Sequence, residues 1–326
     1  MISPGEVLAR LKAIWRPGLY HGHGKTQSYF EGWYFKCVDA SGRHPMAVIP
    51  GIFLGNDDED SHSFVQVLYG LDGQSEYHRY AVDDFSADPD RVFVRVGDSE
   101  FSMESMRLRL DSDLVRSADV EFGDLTPWPS SFFSPGIMGP FGLVPRMQCY
   151  HGVLSMDHDV SGQIQAQGET IDLAGGRGYI EKDWGRGFPR AWTWLQCNHF
   201  DEAGTSLTLS VATVPWAFTA FRGFLVGLLH DGTIYPFTTY NRSTIEEFVI
   251  DGNSVRAVVS RGRLSLEVWA EAGSSGTLLS PEQEGMIARV SESMGGTVRV
   301  RLKRDTEVLY DGDGSPAAME ITGDVS

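Results

Sequence analysis

Glu181 and Asp183 stand two residues apart in the segment Gly178-Tyr179-Ile180-Glu181-Lys182-Asp183-Trp184-Gly185. On a strand that spacing turns both carboxyls, and Tyr179 with them, to one face, while Lys182 turns to the other. Two carboxyls so close favour keeping one of them protonated, and burial favours it further. An acid held protonated near neutral pH is what general-acid catalysis needs. Glu31 is a third carboxyl of interest. It alternates with Trp33 and Phe35, so one strand face carries an acid beside two aromatics, either for chemistry or for pairing with a cation such as Arg177. His151 and His199 supply imidazoles able to accept a proton or orient a carboxyl, and Tyr150 adjoins the first of them. Trp33, Trp184, Trp192 and Trp194 offer ring faces that stabilise a developing cation. The catalytic candidates are therefore Glu181, Asp183, Glu31 and His151. The substrate-binding candidates are Trp33, Phe35, Tyr150, Trp184, Trp192, Trp194 and His199. Each has a structural reading beside the functional one: carboxylates bonded at a sheet rim, histidines satisfied within a strand, tryptophans filling a core.

Other chemistries lack their residues. Cys37, Cys149 and Cys197 form no Cys-x-x-Cys pair and no even framework, so neither zinc nor disulfides are expected. His21-Gly22-His23 has no evident third ligand. Gly175-Gly176-Arg177-Gly178 is not followed by a helix that could cradle phosphate, and there is no Gly-x-Ser-x-Gly nucleophile elbow. No metal or cofactor is expected. The net charge of -17 disfavours nucleic acid and anionic lipid as partners. The N-terminus reads without a signal peptide and no apolar run spans a bilayer, so the expected location is the cytoplasm.

The elements that must position these residues read as strands. A short helix is expected over Pro4–Trp15, capped by Ser3, with Val7, Leu8, Leu11 and Ile14 at helical spacing. Short alternating segments follow, from Tyr29–Val38 to Thr297–Lys303, separated by Gly, Asp and Asn turns, with Pro281–Ile287 as one further helical turn. Strands at this spacing without helices between them suggest barrels or a sandwich. The halves resemble each other weakly: Trp33 to Cys37 before Asp39-Ala40-Ser41-Gly42 parallels Trp194 to Cys197 before Asp201-Glu202-Ala203-Gly204. Leu125–Met147 is rich in proline and phenylalanine and reads as a loop, either packed across a sheet end or acting as a lid over an apolar ligand.

Three segments carry a family resemblance. Tyr29-Phe30-Glu31-Gly32-Trp33-Tyr34-Phe35-Lys36 resembles the first signature of tocopherol cyclase-like proteins, and Tyr150-His151-Gly152-Val153-Leu154-Ser155-Met156 a second. Gly175 to Gly185, continuing through Phe188-Pro189 and Trp192 to Phe200, resembles the third. Arg186-Gly187 departs from the family's usual pair at that place. The resemblance implies an all-β fold of two lipocalin-like antiparallel barrels in tandem, 1–174 and 175–326, after the short helix. It also implies a cofactor-independent cyclase that closes a chroman ring on a prenylated phenol or quinol, or cyclises a related polyene. Such a reaction protonates a weakly basic alkene in a dry pocket and traps the tertiary cation with a phenol oxygen. Hydration of an isoprenoid alkene and non-catalytic carriage of apolar isoprenoids are the alternatives. The expected partner is an apolar small molecule, with at most a weak peripheral contact between Leu125–Met147 and a membrane.

Overall fold

The computed structural model describes residues 12–57, 59–216, 219–282 and 285–325. Of the expected N-terminal helix, residues 12–14 are helical, Trp15 lies in the turn that follows, and residues 4–11 lie outside the described residues. Apart from two short 3-10 turns, the remaining regular structure of the described residues consists of strands. The first twelve are β1 (Tyr29–Val38), β2 (Met46–Leu54), β3 (His62–Tyr69), β4 (Gln74–Tyr80), β5 (Phe85–Ala87), β6 (Phe93–Val96), β7 (Ser99–Ser102), β8 (Ser105–Arg109), β9 (Val115–Gly123), β10 (Cys149–Ala166), β11 (Glu169–Asp172) and β12 (Gly176–Gly185). They form one antiparallel sheet in the order β4-β3-β2-β1-β12-β10-β9-β8-β7-β6-β5, with β11 paired to β10.

The second sheet holds β13 (Trp192–Cys197), β14 (Ser206–Trp216), β15 (Thr219–His230), β16 (Thr233–Thr238), β17 (Thr244–Asp251), β18 (Ser254–Arg261), β19 (Leu264–Glu271), β20 (Ser275–Glu282), β21 (Gly285–Arg304) and β22 (Glu307–Thr322). Its order is β16-β15-β14-β13-β22-β21-β19-β18-β17, with β20 on β21. Both sheets share a plan. A four-strand meander is joined, through its first strand, to the last strand of the half. The weakly similar segments at Trp33 and Trp194 sit on β1 and β13, the strands that hold the same place in that plan.

The chain divides into two compact units, one of Met1–Tyr69, Ser75–Phe188 and Leu278–Arg289, the other of Gly70–Gln74, Pro189–Thr277 and Val290–Ser326. A division at 174 would put β12 in the second half. It lies in the first sheet because β1 takes one of its edges and β10 the other. The expected helical turn at Pro281–Ile287 is strand instead, the end of β20 and the start of β21.

Most strands are amphipathic in the ordinary way. In β9, Val120 and Phe122 face the core while Asp119 and Glu121 face out. Trp33, Phe35, Val48, Val67, Leu108 and Ile164 belong to the first core, and Leu195, Leu209, Val226, Phe237, Val268 and Leu302 to the second. β1 and β12, like β2, β3 and β13, depart from this pattern, with nearly every residue buried. Their polar side chains, Glu31, Lys36, Glu181 and Lys182 among them, must then find partners inside the protein.

Candidate active site

The register of β12 sorts the candidate residues into two groups on opposite faces. Across β1, Glu31 stands opposite Trp184 and Trp33 opposite Lys182, while Gly32 meets Asp183 and Tyr34 meets Glu181. Across β10, Tyr150 meets Trp184, and His151 and Val153 meet Asp183 and Glu181. Residues opposite one another share a face. Glu31, Trp33, Tyr150, Lys182 and Trp184 therefore lie on one side of the sheet, and His151, Glu181 and Asp183 on the other.

On the first face Lys182 and Glu31 form an ion pair with neither side chain exposed at all. The Lys182 ammonium also donates to the carbonyls of Pro17, at 2.9 Å, and Leu19, and to His21 Nδ1 at 3.0 Å. It sits 4.7 Å from the Trp33 ring centre and 4.8 Å from that of Trp184. Glu31 accepts from the Tyr29 hydroxyl and, with both oxygens at 3.0 Å, from the His21 backbone N–H. The His21 ring stacks on Trp184 at 4.2 Å, and Trp184 stacks in turn on Tyr150 at 5.4 Å. Burial and the adjacent ammonium hold His21 down at about 4, so it is neutral. With Nδ1 accepting from Lys182, its proton belongs on Nε2, which lies 3.0 Å from the Ala13 carbonyl.

This network ties the chain from Ala13 to His21 onto the sheet. Burial alone would raise the Glu31 carboxyl, but the Lys182 ammonium and His21 hold it down at about 2. Burial lowers Lys182 to about 8 against the opposing pull of Glu31. Glu31 is an ionised, fully bonded anchor and has no proton to give. Its partner is Lys182, not Arg177, which instead bridges to Asp157 and Asp159. Because the folded pKa lies below the ordinary one, the ionised Glu31 contributes stability in full above pH 4.5, and that contribution is lost as the pH falls toward about 2. Glu31→Gln is expected to be less stable than the parent at neutral pH and to lose that slope. Urea unfolding across the acid range measures both.

On the second face the acid cluster comes together as strand periodicity requires. His151 Nδ1 lies 3.0 Å from Asp183 Oδ1, and Nε2 lies 3.8 Å from Glu181 Oε2. The Tyr179 hydroxyl donates to Glu181 Oε2 at 2.6 Å. Glu181 is buried, while His151 and Asp183 are partly open. Cys149, two residues before His151, places its sulfur 4.0 Å from Asp183 Oδ1 and packs against the apolar group of Phe30, Phe53 and Phe64, joined by Phe188 and Met286. Burial, with the Asp183 charge beside it, pushes the Cys149 thiol well up, so it is no nucleophile. An imidazole and two carboxylates are also a donor set that a divalent cation accepts. The ligating atoms lie within 4.8 Å of one another, making these the residues that would hold a metal.

The remaining candidates lie elsewhere. Phe35 packs against Phe101 and Phe122 in the first core. Trp192, Trp194 and His199 belong to the second unit, where the Trp192 indole donates to Glu320 at 2.6 Å. His199 lines a pocket of roughly 780 Å³ there with Phe200, Trp269 and Arg299. The sequence reading missed Lys182 and His21 as the partners of Glu31. The buried, doubly paired position of β12 was the signal, and it appears only once β1 and β10 are placed beside it.

An all-β protein of two lipocalin-like antiparallel sheets in tandem, with a carboxyl–imidazole cluster shared by β12 and β10 of the first sheet, is the class that fold and site define. The family described as tocopherol cyclase-like matches residues 147–323, more than half of the chain, and the chain belongs to that family. It is 27% identical, over an alignment of 375 positions, to a rice (Oryza sativa subsp. japonica) protein named probable tocopherol cyclase, chloroplastic, covering 93% of this chain and 77% of that one. It is 28% identical over 175 positions to the maize (Zea mays) tocopherol cyclase, chloroplastic, covering 50% of this chain and 37% of that one. Among solved structures, CghA aligns with a TM-score of 0.59 at 12% identity, covering 91% and 89% of the two chains. Kievitone hydratase from Nectria haematococca aligns at 0.52 and 10%, with the same coverage. A protein from Nitrosomonas europaea aligns at 0.57 and 17%, covering 90% and 92%. These three share the fold. Family and relatives together support an enzyme of the cyclase type. Among the described residues, no helix is long and apolar enough to cross a membrane.

Proposed function

We propose that this chain is a cofactor-independent cyclase that closes an oxygen heterocycle on a prenylated phenol or quinol, with His151, Glu181 and Asp183 as its proton machinery. The observation that carries the reading is the meeting of these three groups on one face beside the apolar wall of Cys149, Phe30, Phe53 and Phe64. Alkene protonation needs an acid whose surroundings exclude water, and Glu181 is the buried member of the cluster. A proton moves from the acid to the less substituted alkene carbon. The phenol oxygen bonds to the tertiary carbon and releases its own proton to the cluster. One C=C π bond and one O–H bond are lost, and one C–H and one C–O bond are gained, so no electrons are exchanged with a cofactor. His151, between the two carboxyls, can pass the recovered proton from one to the other. The Lys182–Glu31 network on the opposite face fixes β12, on which both carboxyls ride.

The test is to incubate the purified protein with prenylated hydroquinones and weigh the product. An isomer of unchanged mass is expected. A product heavier by one water makes the protein a hydratase, and tight binding without conversion makes it a carrier. Turnover that disappears with a chelator and returns with a divalent cation would replace the proton by a metal on the same three residues.

A further inference from the structure

The segment from Leu125 to Met147 holds itself down by Trp128 and Ile137, both buried, and turns Phe132 and Phe133 outward. Phe133 is 76% exposed and Phe132 66%. Phe132 stacks on Trp15 at 5.3 Å, its carbonyl accepts from the Trp15 indole at 3.0 Å, and Phe133 meets Phe132 edge to face at 5.1 Å. Trp15 is itself 38% exposed, as is Leu143 on the short 3-10 turn Gly139–Leu143 of the same segment. Large apolar side chains gathered in water and braced against one another mark a contact surface and not a core.

Charge identifies what the surface meets. The chain carries a net -17, yet residues 7–30 and 125–148, which supply every member of the patch, contain Arg10, Lys12, Arg16, Lys25 and Arg146 and not one Asp or Glu. The chain's total charge therefore misstates the local field, because charges beyond a Debye length of about 8 Å are largely screened at physiological salt. Two acids reach into this region: Glu31, which is fully buried and paired with Lys182, and Asp90, bridged to Lys12 at 2.5 Å at the surface. Aromatic and leucine side chains flanked by bases suit an anionic lipid surface: the rings enter the headgroup–acyl boundary and the bases meet lipid phosphates. An acidic protein partner would match the bases but leave the phenylalanines unexplained.

We infer that Trp15, Phe132, Phe133 and Leu143 form a docking surface for anionic lipid bilayers. The inference is independent of the cyclase reading, since membrane binding needs no turnover. It is tested by co-sedimentation of the full chain with vesicles of phosphatidylcholine alone and with added phosphatidylglycerol. Sedimentation with the anionic vesicles, weakening as salt rises, is expected. Phe132→Ser with Phe133→Ser should lower the partition roughly tenfold or more while leaving the circular dichroism spectrum unchanged. Arg16→Glu with Arg146→Glu should remove the preference for anionic vesicles, and it keeps the question decidable if the first variant fails to fold. Absence of sedimentation with either vesicle overturns the inference. So does binding that neither variant weakens, or a patch that drives self-association of the chain in place of vesicle binding.

Discussion

Replacing Lys182 with methionine should destabilise the first unit by about 3–5 kcal/mol, the cost of leaving one member of a buried ion pair without its partner. The variant keeps the length and most of the volume of the side chain, so the loss is electrostatic. Glu31 would be left ionised with no exposure to water, and the carbonyls of Pro17 and Leu19 would lose their donor. Glu31 would respond by taking up a proton, because burial raises a carboxyl once the ammonium is gone. The second variant Glu31→Gln, made on top of Lys182→Met, should recover much of the stability, since it removes the stranded charge. Urea unfolding of the parent, both single variants and the double variant measures the coupling. A single variant within about 1 kcal/mol of the parent, the size of an exposed pair, would show that the buried network does not hold the fold.

Turnover should fall by about 10²–10⁴-fold in Glu181→Gln, the range that a positioned acid contributes. Glutamine is isosteric and can still accept from the Tyr179 hydroxyl, so packing on the second face is kept while the transferable proton is lost. His151→Gln should lower the rate by severing the path between Glu181 and Asp183, and Asp183→Asn should act through the same contact. The fall should appear in kcat with KM little changed, because the substrate's apolar contacts are untouched. Glu31→Gln differs in kind: its activity should follow the folded fraction and return on cooling or with stabilising cosolvent. Full turnover in Glu181→Gln would remove the acid assignment and leave the cluster a structural one.

Much of this was open to reading from residue spacing. Period-two alternation placed Tyr179, Glu181 and Asp183 on one face and Lys182 on the other, and the registers of β1 and β12 agree. His151 as a partner for the carboxyls followed from its chemistry and was met in the structure. Alternation within one strand, however, cannot say which face of one strand continues into which face of another. Glu31 and Glu181 therefore stood together as catalytic candidates, although the antiparallel register sets them on opposite sides. A lysine is usually solvated, and only a strand covered on both faces forces Lys182 inward. β22 was hidden for a compositional reason. Its Asp311-Gly312-Asp313-Gly314-Ser315-Pro316 run has the residues of a loop, and it is held as a strand by pairing to β13 and β21.

That order of strands has a consequence for how the chain comes to be folded. β1 can join β2 at once through a short turn, but its other edge must wait for β12, which is made only after nearly all the rest of its half. The same delay recurs between β13 and β22. Until each closing strand emerges from the ribosome, an edge rich in aromatic residues stands open, the kind of template that recruits other chains. Lys182 and Glu31 sit at that late seam, so their pairing marks the step at which the first half stops being prone to aggregation and becomes a finished sheet.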